Sequence, residues 1–269
     1  MGQGHLTRRD IRATLELDMS GHQTVPSDFS VPSIVPIHAT HSAIASGRLA
    51  DSKTAATRGL SARALSRLDA VAKRTIDVVL ASLLLLLLAP LMLIIALLVA
   101  IDGGPVLFSH ERLGSGLQTF GCLKFRTMIL GAEPCLSEYL GYHPLAMDEW
   151  KARQKLDFDP RITPIGGFLR RTSLDELPQL VNVICGNMSL VGPRPITMKE
   201  AVRYGDDLSL YARVRPGITG LWQVSGRNDI GYETRVALDG QYVRSRTIIM
   251  DAIILAATPR IVLSRQGAR

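Results

Sequence analysis

The chain has 269 residues and a formal net charge of +7 at neutral pH. Its length allows one large domain or two small ones, and its positive charge favours an anionic partner such as nucleic acid, membrane phospholipid or a phosphorylated substrate. The three cysteines, Cys122, Cys135 and Cys185, are odd in number and lack metal-ligand spacing, which argues against a disulfide framework or a zinc site and favours a reducing, cytoplasmic environment.

Residues 1–59 are predicted to form a disordered N-terminal tail. The opening "MGQGHLTRRD" lacks the apolar core of a secretory signal, and Leu6 stands where a myristoylation signal needs Ser or Thr. From about Ser20 to Thr57, the chain is rich in Ser, Thr, Pro, Ala and His, and its apolar residues follow no regular period. We therefore expect the tail to be dispensable for activity.

A helix with a basic face is predicted from Leu60, where the pattern changes. Apolar residues recur at helical spacing and basic residues lie between them, as in a helix that rests on an anionic membrane surface. The apolar positions are Leu65, Leu68, Ala72 and Ile76, and the basic positions are Arg63, Arg67, Lys73 and Arg74.

The uncharged stretch from Val78 to Ile101 is long enough to cross a bilayer. A buried helix of a soluble protein is rarely so continuously apolar. Pro90 lies near its middle, and Lys and Arg are plentiful on both sides, without the asymmetry that a single span predicts. We therefore favour a proline-broken helix in residues 60–102 that enters and leaves by the same leaflet. A fully spanning helix remains the alternative.

Residues 103–269 are predicted to form a compact domain that carries the chemistry. "GGPVLFSHERLGSGLQTFGCLKFRTM" alternates apolar residues around "GSG", which predicts a short hairpin that ends near Lys124 and Arg126. Residues 133–155 predict a helical insert, and "IIMDAIILAATPRIVLSRQGAR" predicts a further interfacial helix. The expected fold is thus a mainly helical α/β protein, membrane-associated, with small β elements.

Two adjacent carboxylates, Asp175 and Glu176, stand in "TSLDELPQLVN" directly before a leucine-rich helical pattern. Taken alone, they predict a helix start, because Ser173 and Glu176 fit a capping box and acidic residues complement the positive end of a helix dipole. Their neighbours indicate more. Arginines separated by rigid Pro and Gly turns favour a converging phosphate site; they are Arg161, Arg170, Arg171 and Arg194.

The order of motifs resembles the bacterial sugar transferase family, the monotopic phosphoglycosyl transferases, and especially its exopolysaccharide-initiating members. The matching segments are "KRTID", "GGPVLFSHERLG", "KFRTM", "DPRITPIGGFLRRTSLDELPQLVNV", "NMSLVGPRP" and "RVRPGITGLWQVSGR". The resemblance implies transfer of a sugar phosphate from a UDP-sugar to a polyprenyl phosphate, such as undecaprenyl phosphate. It also implies a catalytic domain on the cytoplasmic face of the inner membrane.

The same resemblance assigns roles to the conspicuous residues. Asp175 is expected to be the nucleophile that becomes a covalent aspartyl phosphosugar, and Glu176 to be a ligand for Mg²⁺. Cations would suppress repulsion between the carboxylate and the diphosphate; the candidates are Lys124, Arg126, Arg170 and Arg171. The "GPRP" turn, Pro193, Arg194 and Pro195, would contact the nucleotide. Arg215 and Arg227 are further phosphate candidates, and Trp222 is expected to pack rather than to stack on a ligand.

Two departures from the family pattern accompany the match. Ala89 precedes the bend proline where Ser is common, and Leu117 and Gln118 stand where a lysine is common. Galactose or glucose is the sugar that the resemblance favours, with an N-acetylated amino sugar as the alternative. The oligomeric state stays open.

Other classes of protein explain less of the sequence. A non-catalytic membrane-bound scaffold needs no carboxylate pair among arginines. Nucleic-acid binding leaves the apolar stretch unexplained, and few aromatic residues are interleaved with the basic motifs. A Rossmann-type nucleotide-sugar enzyme is disfavoured because no G-x-G-x-x-G follows a strand-like run.

Overall fold

A computed structural model describes residues 52–226 and 231–264 of the protein. The chain divides into two units, Met1–Arg63 and Ala64–Arg269. The predicted tail, 1–59, therefore lies mostly outside the described residues. The last residues of the predicted tail, 52–59, are described and are helical, because the first helix begins at Ser52 rather than at Leu60.

The described chain is mainly helical with four short strands, which confirms the predicted balance of elements. The helices are α1 (Ser52–Ala100), α2 (Ala132–Tyr142), α3 (Pro144–Arg153), α4 (Pro164–Thr172), α5 (Gln179–Cys185), α6 (Met198–Ala201), α7 (Leu208–Tyr211), α8 (Leu221–Val224), α9 (Tyr232–Ser245) and α10 (Ile248–Ser264). The strands are β1 (Leu107–Leu113), β2 (Thr119–Phe125), β3 (Ser189–Val191) and β4 (Gly217–Thr219). The 3₁₀ segments are Ser115–Leu117, Leu174–Glu176 and Val202–Asp207.

The strands form two separate two-stranded sheets. β1 and β2 make the predicted antiparallel hairpin, with Leu107 opposite Phe125 and Leu113 opposite Thr119. Gly116 at its tip has a φ of 68°, which a residue without Cβ adopts at little cost. β3 and β4 pair in parallel through Ser189–Gly217 and Val191–Thr219.

Helix α1 continues through Pro90 instead of stopping there. The expected break of the helix is therefore not seen, although a proline inside a helix removes one backbone hydrogen bond and permits a bend. The part Leu68–Ala100 is long and apolar enough to cross a membrane. Large apolar side chains are exposed along it, among them Leu83, Leu86, Leu87, Leu93 and Leu97.

One face of α1 packs against the compact domain in both halves of the apolar stretch. Ala81 is fully buried in a cluster with α5, β3, α9 and α10. Farther along, Ile95 and Val99 are buried against Phe125 of β2 and Leu169 of α4. The domain core is therefore built partly from the same helix that exposes leucines on its other side.

Side-chain bonds fasten the start of the apolar stretch of α1 to the domain. Lys73 Nζ donates to Asp251 Oδ2 of α10 (2.6 Å), and Ser189 Oγ of β3 donates to Asp77 Oδ2 (2.7 Å). Arg74 donates to the backbone carbonyls of Val183 (2.7 Å) and Ile184 (2.9 Å), which lie in the last turn of α5. The "KRTID" motif thus ties α1 to three elements.

Candidate functional site

The acidic pair lies in a 3₁₀ turn, Leu174–Glu176, between α4 and α5. The predicted capping box is wrong: Ser173 is the left-handed C-cap of α4, with a φ of 58°, and its side chain makes no capping hydrogen bond. A capping box is found instead at Thr197 and Glu200, at the start of α6. The pair is therefore not the first turn of an α-helix, and a helix dipole does not explain how two adjacent negative charges are stabilised.

Lys124, near the end of β2 in the hairpin, stabilises the two carboxylates. Its Nζ donates to Glu176 Oε1 (2.7 Å) and lies 3.4 Å from Asp175 Oδ2. The Asp175 residue is buried, while the side chain of Glu176 is partly exposed. One ammonium group thus bridges two adjacent carboxylates, which offsets their mutual repulsion.

Contacts from both α4 and α5 fix this geometry. The side chain of Asn182 in α5 accepts the Leu123 N–H (2.9 Å) and donates to the Gly121 carbonyl (2.8 Å), so α5 holds β2 in register. On α4, a Cβ at Gly166 would clash with the Thr127 carbonyl oxygen, so only glycine allows α4 to approach so closely. Arg170 Nε then donates to Thr127 Oγ1 (2.8 Å).

The environments of the two carboxyl groups differ. Burial raises the pKa of Asp175 above its ordinary value, although Lys124 and Arg170 oppose the rise. Burial acts in the same direction on Glu176, but there Lys124 and Arg194 outweigh it and hold the pKa below its ordinary value. Burial lowers the pKa of Lys124, yet the two carboxylates prevail and raise it. The turn therefore holds one readily ionised carboxylate and one that retains its proton longer.

Arg112 of β1 belongs to the site, although the sequence interpretation missed it. Its Nη1 donates to Glu200 Oε2 (3.0 Å) and to the Pro195 carbonyl (3.2 Å). Burial and the nearby positive charge of Arg194 lower the pKa of Arg112, so the two guanidinium groups lie near each other. The hairpin register holds the signal that would have found it, because directly paired residues share a face. Arg112 pairs with Phe120, and Phe120 and Lys124 are four residues apart on β2, so all three side chains lie on the same face of the hairpin.

A cluster of aromatic and cationic side chains packs at the "GPRP" turn. Trp222 is buried, as expected from the packing prediction, and the guanidinium carbons of Arg194 and Arg235 lie 5.6 and 4.2 Å from its ring centroid. Nearby, Tyr204 donates to Asp239 Oδ2 (2.8 Å), and burial raises the pKa of Asp239 to about 7. Arg235 and Asp239 have no individual signal in the sequence, since helix periodicity alone does not reveal what they contact.

Some of the predicted site residues lie together in the structure, and others lie apart from them. Gathered around the acidic turn are Asp175, Glu176, Lys124, Arg170 and Arg194; the buried Pro193 and the Pro195 carbonyl belong to the adjoining turn.

The other predicted arginines within the described residues make different contacts or are exposed. Arg126 Nη2 donates to the Val99 carbonyl (2.8 Å) and pairs with Asp102, so it fastens the end of α1. Arg215 Nε donates to the Gly186 carbonyl (2.7 Å). Arg171 is exposed. Arg227 lies outside the described residues.

The acidic pair has the right chemistry for a magnesium ion but supplies few ligands. Among residues 52–226 and 231–264, no group of three or more His, Cys, Asp or Glu side chains could hold a metal ion. Magnesium commonly uses only one or two carboxylates and takes its remaining ligands from water and substrate phosphates. Asp175 and Glu176 therefore fit an Mg²⁺ site in which a bound diphosphate and water would supply the other ligands.

Comparison with known proteins matches residues 68–265 to the family described as bacterial sugar transferase. A protein of Salmonella typhimurium named undecaprenyl-phosphate galactose phosphotransferase is 50% identical over 196 residues, which are 73% of this chain and 41% of that protein. The exopolysaccharide production protein ExoY of Rhizobium meliloti is 50% identical over 197 residues, 72% of this chain and 87% of that protein.

A third relative, from Escherichia coli, is named UDP-glucose:undecaprenyl-phosphate glucose-1-phosphate transferase. It is 36% identical over 203 residues, 72% of this chain and 40% of that protein. This chain therefore spans about two fifths of the length of the Salmonella and Escherichia proteins but most of ExoY.

Proposed function

This chain belongs to the bacterial sugar transferase family, and from that premise we propose that it transfers a hexose 1-phosphate from a UDP-sugar to undecaprenyl phosphate. The reaction would begin the synthesis of an exopolysaccharide or surface glycan. The names of the Salmonella and Escherichia relatives support a hexose, because they specify galactose and glucose. The observation in this molecule that carries the proposal is the buried Asp175 beside Glu176, with Lys124 bridging the two.

In the proposed chemistry, two displacements take place at one phosphorus. A carboxylate oxygen of Asp175 attacks the phosphorus bonded to the sugar, the phosphoanhydride bond breaks, and UMP leaves with the bonding electrons. An oxygen of undecaprenyl phosphate then attacks the same phosphorus. The bond to Asp175 breaks, its carboxylate is restored, and the product is undecaprenyl diphosphate sugar.

The cations around the turn have separate tasks in this scheme. Lys124 keeps Asp175 in place and reduces its repulsion with an incoming phosphate. Arg112 and Arg194 supply two planar donor groups for the diphosphate and for the leaving UMP. Glu176, together with Asp175 and the diphosphate, would hold Mg²⁺, which supplies charge neutralisation to the phosphates.

The packing of α1 supports a location on one membrane face. A straight α-helix would separate Lys73 from Val99 by roughly 40 Å, which exceeds the roughly 30 Å of the bilayer hydrocarbon. Yet Lys73 bonds to Asp251, and Val99 accepts a hydrogen bond from Arg126, in the same compact unit. We infer that both ends of the apolar stretch lie at the cytoplasmic surface of the inner membrane, with α1 bent or lying in the interface.

Topology can be tested by labelling single cysteines placed at Asp69 and Asp102 in intact cells, with the native cysteines replaced. Both positions should react only when the reagent reaches the cytoplasm. Pro90→Leu restores a helical hydrogen-bond donor and should shift part of the population toward spanning. Labelling of the Asp69 and Asp102 positions from opposite sides in the otherwise unchanged protein would disprove the one-face arrangement.

The activity itself is tested with purified full-length protein, undecaprenyl phosphate and a panel of nucleotide sugars. We expect UDP-galactose or UDP-glucose to release UMP and to form a lipid-linked sugar. Release of UMP from UDP-N-acetylglucosamine alone would replace the hexose by an N-acetylated amino sugar. No turnover with any donor would favour a scaffold.

A further inference from the structure

An apolar cavity of about 340 Å³ lies between α1, the acidic turn, α5 and α10. Its walls come from leucine and isoleucine side chains on elements that are distant in sequence. They include Leu84 and Leu88 of α1, Leu177 and Leu180 beside and within α5, Leu190 of β3, and Leu255 of α10. A cavity of this size is large enough for a substantial part of an organic ligand.

One end of the cavity is formed by the segment that carries the proposed nucleophile. Thr172, Ser173 and Glu176 all line it, and Asp175 lies within that same segment. Glu176 accepts a hydrogen bond from Lys124, whose other contact is Asp175. A ligand with an apolar body in the cavity and a charged head at this end would therefore bring its head to the catalytic turn.

The charge of the lining indicates which substrate the cavity can hold. Among the described residues that line it, Glu176 has the only charged side chain, and none is Lys or Arg. The leucine-lined part offers no counter-charge for a phosphate, whereas the ammonium group of Lys124 contacts Glu176 at the Thr172–Glu176 end. The lining therefore suits a ligand with a hydrocarbon body in the leucine-lined part and its phosphate at the Thr172–Glu176 end.

The helices that border the cavity also expose apolar surface. On α1, Leu83 and Leu87 are exposed, and on α10, Ile249 and Ile253 are exposed. Large apolar side chains on two neighbouring elements are typical of a surface that contacts lipid. A hydrocarbon chain can therefore reach the cavity from a surface of similar character.

We propose that this cavity binds the isoprene units nearest the phosphate of the lipid acceptor and so aims that phosphate at Asp175. The assignment rests on the proposed function, and it gives the acceptor a binding site separate from that of the donor. Phosphate-proximal isoprenes occupy the leucine-lined part, and the phosphate lies at the Thr172–Glu176 end.

The test fills the cavity and measures the two displacements separately. Leu88→Trp places a larger side chain in the cavity, and Leu87→Trp, at a neighbouring position that is 70% exposed, is the matched control. With the UDP-sugar alone, both variants should form the phosphosugar adduct as the unchanged protein does. With undecaprenyl phosphate added, Leu88→Trp should raise the KM for the acceptor about tenfold, the size of effect typical of a mismatched hydrophobic subsite.

A second pair of variants protects the test against misfolding. Leu255→Trp fills the cavity from α10, and Ile253→Trp, on the exposed side of the same helix, is its control. If Leu88→Trp does not fold, Leu255→Trp gives the decision. A photoreactive analogue carrying its probe on the first isoprene should also crosslink to peptides that contain Leu88 or Leu255.

The outcomes separate the two proposals. An unchanged acceptor KM in a folded, adduct-forming Leu255→Trp variant would overturn the cavity assignment while leaving the reaction intact. An equal rise in the acceptor KM of the Ile253→Trp control would also overturn the cavity assignment, because the rise would then reflect general membrane contact. Retention of a phospholipid acyl chain in the cavity during turnover would likewise contradict it. Absence of an adduct in the unchanged protein would instead refute the covalent first displacement, and absence of any turnover would refute the proposed function.

Discussion

The two sides of the acidic turn differ in chemistry and in the way they are held. On one side, Lys124, Arg112 and Arg194 surround the carboxylates with positive charge, and hydrogen bonds and stacking fix their positions. On the other side, Leu88 and Leu255 line an apolar cavity, whose walls are mostly packed apolar side chains. The proposed reaction, with one water-soluble and one lipid substrate, needs both surfaces at its proposed nucleophile, Asp175.

This contrast predicts that damage to the two sides will have separable consequences. Changes on the charged side should impair the first displacement, which uses the UDP-sugar. Changes on the apolar side should impair only the second, which uses the lipid. The turn itself belongs to both, so changes there should have the largest effects.

Asp175→Asn should therefore abolish both displacements. The amide keeps the size of the carboxylate and much of its hydrogen bonding but lacks the anionic nucleophile. Release of UMP from donor alone and net transfer to lipid, measured side by side, should both fall to background. If substantial transfer persisted, the acidic pair would have only a structural role beside Lys124.

Glu176→Gln should cause a severe but incomplete loss, roughly 10²–10³-fold in kcat. The nucleophile remains, while the proposed Mg²⁺ site loses a charge and Lys124 loses its shorter partner at 2.7 Å. Activity measured across a magnesium titration should require more metal than in the unchanged protein. An unaltered magnesium dependence would remove Glu176 from the metal site.

Arg112→Met should raise the KM for the UDP-sugar about tenfold, because a charge-assisted contact to phosphate is lost. The KM for undecaprenyl phosphate should stay the same, since Arg112 lies on the charged side. Arg213→Met, at an exposed position, provides the control. An equal change in both KM values would show that the two surfaces are not independent.

The pH dependence should show the smallest effect and still distinguish the displacements. Because burial raises the pKa of Asp175, the nucleophile becomes ionised at a higher pH than an ordinary carboxyl group. Adduct formation at saturating donor should therefore increase with pH through that raised pKa and level off above it. Glu176, whose pKa is lowered, is already ionised in this range. An adduct-formation rate that shows no rise with pH above the ordinary carboxyl range would contradict the inferred environment of Asp175.

Local patterns in the sequence predicted the hairpin around "GSG", the helical insert and the C-terminal helix, because alternation and helical periodicity depend on neighbouring residues. The same reasoning failed at Ser173, where the end of α4 fixes a left-handed backbone that a capping box does not use. It also expected a break at Pro90, whereas packing along one face keeps α1 continuous.

The candidate site was only partly predictable for a related reason. Asp175 and Glu176 stand out because adjacent carboxylates among arginines are unusual in a local window. Arg112 joins them only through strand pairing, and Arg235 only through its contact with Trp222. Conversely, Arg126 satisfies the carbonyl at the end of α1, which a count of basic residues does not reveal. Tertiary pairing decides which arginines meet the turn.

The most direct test of the central claim is the intact mass of the unchanged full-length protein after rapid quenching with UDP-galactose or UDP-glucose and without any lipid acceptor. A covalent first displacement predicts an added mass equal to one hexose phosphate, located on Asp175 by fragmentation and removed when undecaprenyl phosphate is supplied. Release of UMP that depends strictly on the lipid, with no added mass under any quench condition, would contradict the covalent mechanism.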